Sequence, residues 1–120
     1  MTVDMLNVIG ALATIAFGAI GWLAPRFTMA KLDLATDGSA LGLSEIRAAN
    51  GALFVGLAVA AISIGQPLAY VMLGFMYAGA AIGRLTSIVF DGSGQMTSWS
   101  FLAAEVALAT WFISANWYAI

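Results

Sequence analysis

The sequence predicts an all-α integral membrane protein, a bundle of four transmembrane helices that forms one domain over residues 1–120. Two observations predict this class. Of the 120 residues, 62% are hydrophobic and only 8% are charged, whereas soluble globular domains carry about 25% charged residues. Four apolar runs, each close to the roughly 20 residues that cross a bilayer, are separated by short polar stretches. Four basic and six acidic side chains cannot cover a water-soluble surface.

The first predicted span covers residues 5–24 and is followed by Pro25, which is a helix breaker. A signal peptide would have a basic start and a shorter apolar core, but the residues before this run include Asp4 and no Lys or Arg. Small residues recur at every fourth position, a pattern that lets two helices approach closely, although Gly is also common in membrane helices generally. This stripe consists of Gly10, Thr14 and Gly18.

The long connection after the first span covers residues 26–43. It interleaves charged residues such as Arg26 and Lys31 with apolar ones such as Phe27 and Met29. This mixture is typical of a segment that lies on the membrane surface. The turn sequence Asp37-Gly38-Ser39 then leads the chain toward the second span.

The remaining spans are predicted over residues 44–65, 68–90 and 98–119. Gln66-Pro67 forms the turn between the second and third spans, and residues 91–95 form a polar loop before the fourth. Gly79 and Gly83 in the third span make a G-x-x-x-G pattern, which favours close helix packing.

The basic residues predict the orientation in the membrane. Arg26, Lys31, Arg47 and Arg84 all fall toward the same side, where the first span ends, and the other side has none. The positive-inside rule places this side in the cytoplasm. We therefore expect both termini to face the periplasm of a bacterial inner membrane.

Polar residues from three spans are predicted to meet near this cytoplasmic side. Glu45, Arg47 and Asn50 stand at the mouth of the second span, next to Gly51. Arg84 lies about 9 Å inside the third span and Glu105 about 10 Å inside the fourth, at 1.5 Å rise per residue. Tyr77 is on the same side of its helix as Arg84.

The spacing of these charges limits how they pair. Glu45 and Arg47 are about 200° apart around a helix and cannot face each other. We therefore expect two ion pairs between helices within one cluster, with Arg84 at its centre and Glu105 as its natural partner. The cluster either fixes helix register or lines a cavity for an anionic headgroup or carboxylate. A proton path is a third, weaker alternative because Arg does not titrate.

Missing residue types exclude most catalytic classes. The chain has no Cys and no His, so it lacks disulfides, thiolates, the usual general base and the usual zinc and haem ligands. The acids do not have the spacing of a calcium loop or a di-iron helix pair. We expect no catalytic residue, no metal and no cofactor. The net charge of −2 and the lack of a basic stretch also argue against a nucleic-acid partner.

Two motifs resemble a known family. Glu45-x-Arg47-Ala48 followed by Gly51, and Gly83-Arg84-Leu85 followed by Asp91-Gly92, are similar to the bacterial membrane family called domain of unknown function 4345, as is the lone Glu105. The resemblance covers nearly the whole chain and implies a four-span inner-membrane protein without an established activity. The chain departs from the family pattern at Asn50, where an aromatic such as Tyr is expected.

A second resemblance fails. Membrane-bound glutathione-dependent enzymes also have four spans and an Arg-Ala pair followed by Asn in the second span. Their Asn is expected one residue later than Asn50 and is followed by a further acid, but Leu53 and Phe54 stand here instead.

Two classes of function remain open. The first is a non-catalytic accessory or scaffold subunit that binds other integral membrane subunits or a second copy of the chain in the lipid bilayer. The second is a protein, possibly an enzyme, that binds a lipid or a small anion in an intramembrane Arg/Glu cavity. The Gly stripes and the lack of catalytic side chains favour the first.

Overall fold

The computed structural model describes all 120 residues, Met1–Ile120, and every regular element in it is helical. Four helices are long and apolar enough to cross a membrane, as the sequence predicts. In chain order the elements are α1 (Val3–Leu23), α2 (Pro25–Lys31), α3 (Leu41–Arg47), a π-helical turn (Ala48–Ala52), α4 (Leu53–Ile64), α5 (Pro67–Phe90), α6 (Met96–Asn116) and a 3₁₀ turn (Trp117–Ala119).

The helix boundaries lie within three residues of the predicted ones, and the largest differences concern the second span and the connection before it. The stretch from Leu41 to Ile64 forms one continuous span, so the second span begins three residues earlier than expected. The connection before it is not wholly irregular, because Pro25 begins the short helix α2. Proline is favoured at this position, where its missing N–H would have no helical partner.

The contacts group the chain into two compact units, Met1–Ser63 and Ile64–Ile120. The first contains α1, α2, α3, the π-helical turn and nearly all of α4. The second contains α5 and α6, which form an antiparallel hairpin joined by the loop around Gly92, a residue with φ of 68°. A single domain over the whole chain stays a prediction.

Glycines let α1 and the π-helical turn approach each other closely in the first unit. A Cβ added to Gly18 would lie 2.8 Å from the carbonyl oxygen of Gly51. A Cβ on Gly21 would collide with the Asn50 carbonyl, and one on Gly51 with the backbone nitrogen of Trp22. The packing roles expected of Gly18 and Gly51 are therefore visible in this contact. Gly10 and Thr14, the other members of the α1 stripe, are buried.

In the second unit a different glycine brings the helices together. A Cβ on Gly74 of α5 would lie 2.7 Å from the Ile113 side chain of α6. Gly79 and Gly83 do not pack within this unit, because both are exposed and an added Cβ meets nothing within 4 Å at either one. Gly79 is about 200° around the helix from the buried Ala81, so it lies on the opposite side of α5.

Candidate functional site

An ion pair between α5 and α6 is the centre of the candidate site. Arg84 Nη2 lies 2.6 Å from Glu105 Oε1, and Arg84 Nε donates to both carboxylate oxygens at 3.1 and 2.9 Å. The Glu105 side chain is 11% exposed and that of Arg84 27%. Two antiparallel helices place these residues opposite each other: Arg84 lies about 9 Å before the end of α5 and Glu105 about 14 Å after the start of α6, at 1.5 Å rise per residue. The contact is a neutral, charge-assisted pair in an apolar surrounding.

The rest of the Arg84 guanidinium is only partly used. One face of it lies over the Phe101 ring, with Cζ 5.0 Å from the ring centroid, a cation–π distance. A guanidinium has five donor hydrogens, and the bonds to Glu105 leave from Nε and Nη2 only. Nη1 makes no hydrogen bond within the chain. Arg84 therefore has donors available for a further oxygen acceptor.

Aromatic rings continue the site along the same side of α5. Phe112 of α6 stacks between two tyrosines of α5, with ring centroids 6.1 Å from Tyr70 and 6.3 Å from Tyr77. Tyr77 is two helical turns from Arg84 and is 7% exposed. Offset stacking of this kind adds about 0.5–1.5 kcal/mol per pair beyond the area that it buries. The rings hold α5 and α6 together on the side that carries the ion pair.

Arg47 has a different partner from the one expected. Its Nη1 donates to the carbonyl oxygen of Trp22 at 2.6 Å. Trp22 is in the last turn of α1, where helix carbonyls lack intrahelical partners, and Pro25 just beyond it has no N–H to offer. A cation at a helix C-terminus is also favoured by the helix dipole. Arg47 therefore caps α1, and the contact fastens α3 to α1 within the first unit.

Glu45 and Asn50 are exposed, and their side chains form no hydrogen bond or ion pair. Arg84–Glu105 is the salt bridge of the second unit, and a second ion pair between helices stays a prediction. Within the first unit the Arg47 guanidinium is engaged by a backbone carbonyl. Assembly of all four charges into one cluster stays a prediction.

Neither the π-helical turn nor the contact between Arg84 and Phe101 is among the features predicted from the sequence. The turn contains Asn50 and Gly51, and π-bulges frequently occur at functional sites. Nothing in the apolar run signals it, because the π-helical turn widens the helix without a change in composition. Phe101 is four residues before Glu105, so helical spacing alone would have placed it on the same side of α6.

The family motifs fall on these structural positions. The first motif lies in α3 and the π-helical turn, with Glu45, Arg47, Ala48 and Gly51. The second lies in the last two turns of α5, with Gly83, Arg84 and Leu85, and in the loop that follows, with Asp91 and Gly92. A profile of the family described as Domain of unknown function (DUF4345) matches residues 4–116. The chain belongs to the DUF4345 family. The resemblance seen in the sequence is thus confirmed over almost the full length.

No curated protein and no solved structure matches this DUF4345 protein. The structure has no group of three acidic side chains placed to hold a metal ion. The chemistry that the DUF4345 site offers is ion pairing, donation of hydrogen bonds from Arg84, and aromatic stacking.

Proposed function

We propose that this DUF4345 protein is a non-catalytic accessory or scaffold subunit of a bacterial inner membrane, which binds other transmembrane helices through the outer side of α5. The observation that carries the proposal is the open space at Gly79 and Gly83. Glycine inside a helix costs about 1 kcal/mol relative to alanine. Packing within the second unit does not use either residue.

Helix association in lipid favours such a surface. Lipid chains are as apolar as leucine, so helices associate through close van der Waals contact, and a G-x-x-x-G pair lets two backbones approach. Large apolar side chains on the same side of α5 would pack around the glycines: Met72 is 63% exposed and Phe75 is 55% exposed. The partner is a helix of a larger membrane complex or a second copy of this chain.

Substitutions at these glycines test the proposal. Gly79→Leu and Gly83→Leu place a bulky side chain in open space, so the fold should stay intact while association is lost. Gly56→Leu in α4 is the matched control, because an added Cβ at Gly56 also meets nothing within 4 Å. Subunit counting by single-molecule photobleaching in bilayers, with native mass spectrometry of the purified protein, measures the association. Unchanged association in both α5 variants would contradict the proposal.

A second candidate function is ligand binding at Arg84. The observation that favours it is the unused Nη1 edge of a guanidinium whose side chain is 27% exposed. An oxygen acceptor, such as a carboxylate or a lipid headgroup, would satisfy these donors. Native mass spectrometry should then show a retained molecule on the wild-type protein and none on Arg84→Gln. A wild-type mass equal to that of the bare chain would remove this candidate.

A further inference from the structure

A small pocket lies in the first unit and shares no residue with the two surfaces described above. It has a volume of about 180 Å³ and is formed between α2 and the chain that follows it. Arg26, Met29 and Ala30 line one wall, and residues 34–36 line the other. Neither the ion pair of α5 and α6 nor the glycines of α5 contribute to it.

Two contacts hold the walls of this pocket in place. The Leu34 N–H donates to the Met29 carbonyl at 2.8 Å, which turns the chain back against α2. Farther along, a Cβ on Gly42 of α3 would lie 3.1 Å from the Thr36 methyl group, so Thr36 rests directly on α3. Contacts within the chain therefore form the pocket without a ligand.

One cation, Arg26, lines the pocket. Arg26 is exposed and forms no hydrogen bond and no ion pair, and neither Asp33 nor Asp37 lies within 4.0 Å of it. Lys31, at the other end of α2, has its Nζ 5.5 Å from the centroid of the Phe27 ring. Two cations on one seven-residue helix thus lack acidic partners.

Geometry puts this helix at the membrane surface. The 21 residues of α1 span about 32 Å, close to the roughly 30 Å of the hydrocarbon core. Because α2 begins two residues after α1 ends, it must lie at headgroup level. The exposed Phe27 ring between two cations is typical of an interfacial segment.

We propose that this pocket binds the phosphate group of an anionic phospholipid, with Arg26 as the direct ligand and Lys31 as a second cation that attracts it. The proposal is independent of association through α5. A guanidinium without a partner offers the bidentate donors that a phosphate accepts. Thr36 lines the opposite wall.

The test measures lipid binding by native mass spectrometry. The full-length protein in uncharged detergent is titrated with phosphatidylglycerol and, separately, with zwitterionic phosphatidylcholine. A basic residue near an anionic surface contributes about 1 kcal/mol, which is about a five-fold change in affinity at 1.4 kcal/mol per tenfold. We expect Arg26→Gln to weaken phosphatidylglycerol binding about five-fold or more and to remove most of its preference over phosphatidylcholine.

Controls separate this site from general charge and from the other proposals. Asp33→Asn changes the net charge by the same amount in the opposite sense and keeps a side chain that tolerates the φ of 57°. It should alter phosphatidylglycerol binding less than two-fold. The site would be overturned if Asp33→Asn strengthened phosphatidylglycerol binding as much as Arg26→Gln weakened it. Wild-type binding by Arg26→Gln would also overturn it.

Two further outcomes also overturn it. Inorganic phosphate that displaces phosphatidylglycerol at equal concentration would show that the ligand is a free anion. A loss of lipid in Arg84→Gln but not in Arg26→Gln would move the lipid to the α5–α6 ion pair. Because Gly79→Leu leaves Arg26 untouched, failure of association through α5 would leave the lipid result unchanged.

Discussion

At the residue scale, the two arginines of the family motifs are stabilised in different ways. Arg84 is neutralised by a carboxylate on the adjacent helix, whereas Arg47 donates to a helix-end carbonyl. A buried ion pair contributes little net stability over an apolar pair of the same size, but removing one partner leaves an uncompensated charge. The free-energy cost of substituting each arginine therefore depends on whether a charged carboxylate or a neutral carbonyl is left without its partner.

Removal of Arg84 alone should destabilise the protein strongly. Breaking a buried pair costs about 3–5 kcal/mol, and we expect Arg84→Ala to fall near the low end because the arginine side chain is 27% exposed. Intrinsic tryptophan fluorescence during thermal unfolding in detergent measures the change. Arg26→Ala, at an exposed residue without an ion pair, should unfold at nearly the wild-type temperature.

A double variant separates the charge effect from simple loss of packing. Arg84→Met combined with Glu105→Leu removes both charges and should recover much of the stability lost in the single variant. With the single variants Arg84→Met and Glu105→Leu it completes a double-mutant cycle, in which the coupling should exceed about 1 kcal/mol. A double variant as unstable as Arg84→Ala would show that the ion pair is not the source of the effect.

Counting residues along helices accounts for what the sequence could predict at this scale. Arg84 lies six residues before the end of α5 and Glu105 nine residues after the start of α6, so the rise per residue places both about 9–14 Å from one loop. The partner of Arg47 could not be predicted in the same way. Its acceptor is a backbone carbonyl 25 residues earlier in the chain, and every residue has such a carbonyl, so no side-chain pattern marks it.

At the element scale, small residues decide which helices touch, but their spacing does not reveal which side is used. The contact between α1 and the π-helical turn uses Gly18, Gly21 and Gly51. Gly21 lies outside the four-residue stripe, so the stripe alone misses it. Conversely, the G-x-x-x-G pattern of α5 lies where an added Cβ meets no neighbour within 4 Å. Only the fold distinguishes an internal from an external contact.

Alanine at these glycines should therefore have opposite effects in the two places. Gly21→Ala and Gly51→Ala bring a methyl group against backbone atoms, and we expect a loss of about 2–3 kcal/mol, at the upper end for an overpacked site. Gly56→Ala and Gly79→Ala enter open space and should raise helix stability by up to about 1 kcal/mol. Thermal unfolding in detergent ranks all four variants. Equal stability of Gly21→Ala and Gly56→Ala would refute the close contact.

At the scale of the whole molecule, the four spans and the loops between them define a topology. If each span crosses the membrane once, as the sequence predicts, the loops around Ser39 and Gly92 are expected on one side and Gln66 on the other. Arg26 and Lys31 are in the segment before Ser39, whereas the turn at Gln66 has no Lys or Arg. The number of spans followed from composition and run length, but the π-helical turn and α2 did not, since both are local backbone choices within permissive sequences.

The orientation of this topology is open to a direct test, because the chain contains no cysteine and single-cysteine variants need no background correction. By the positive-inside rule, Ser39→Cys should be protected from a membrane-impermeant maleimide in intact bacterial cells and become labelled after lysis. Gln66→Cys, on the opposite side, should be labelled in intact cells. Both positions are exposed, so lack of reaction reports the membrane and not burial. Labelling of Ser39→Cys and protection of Gln66→Cys would place Arg26 and Lys31 outside the cytoplasm and reverse the predicted orientation of both termini.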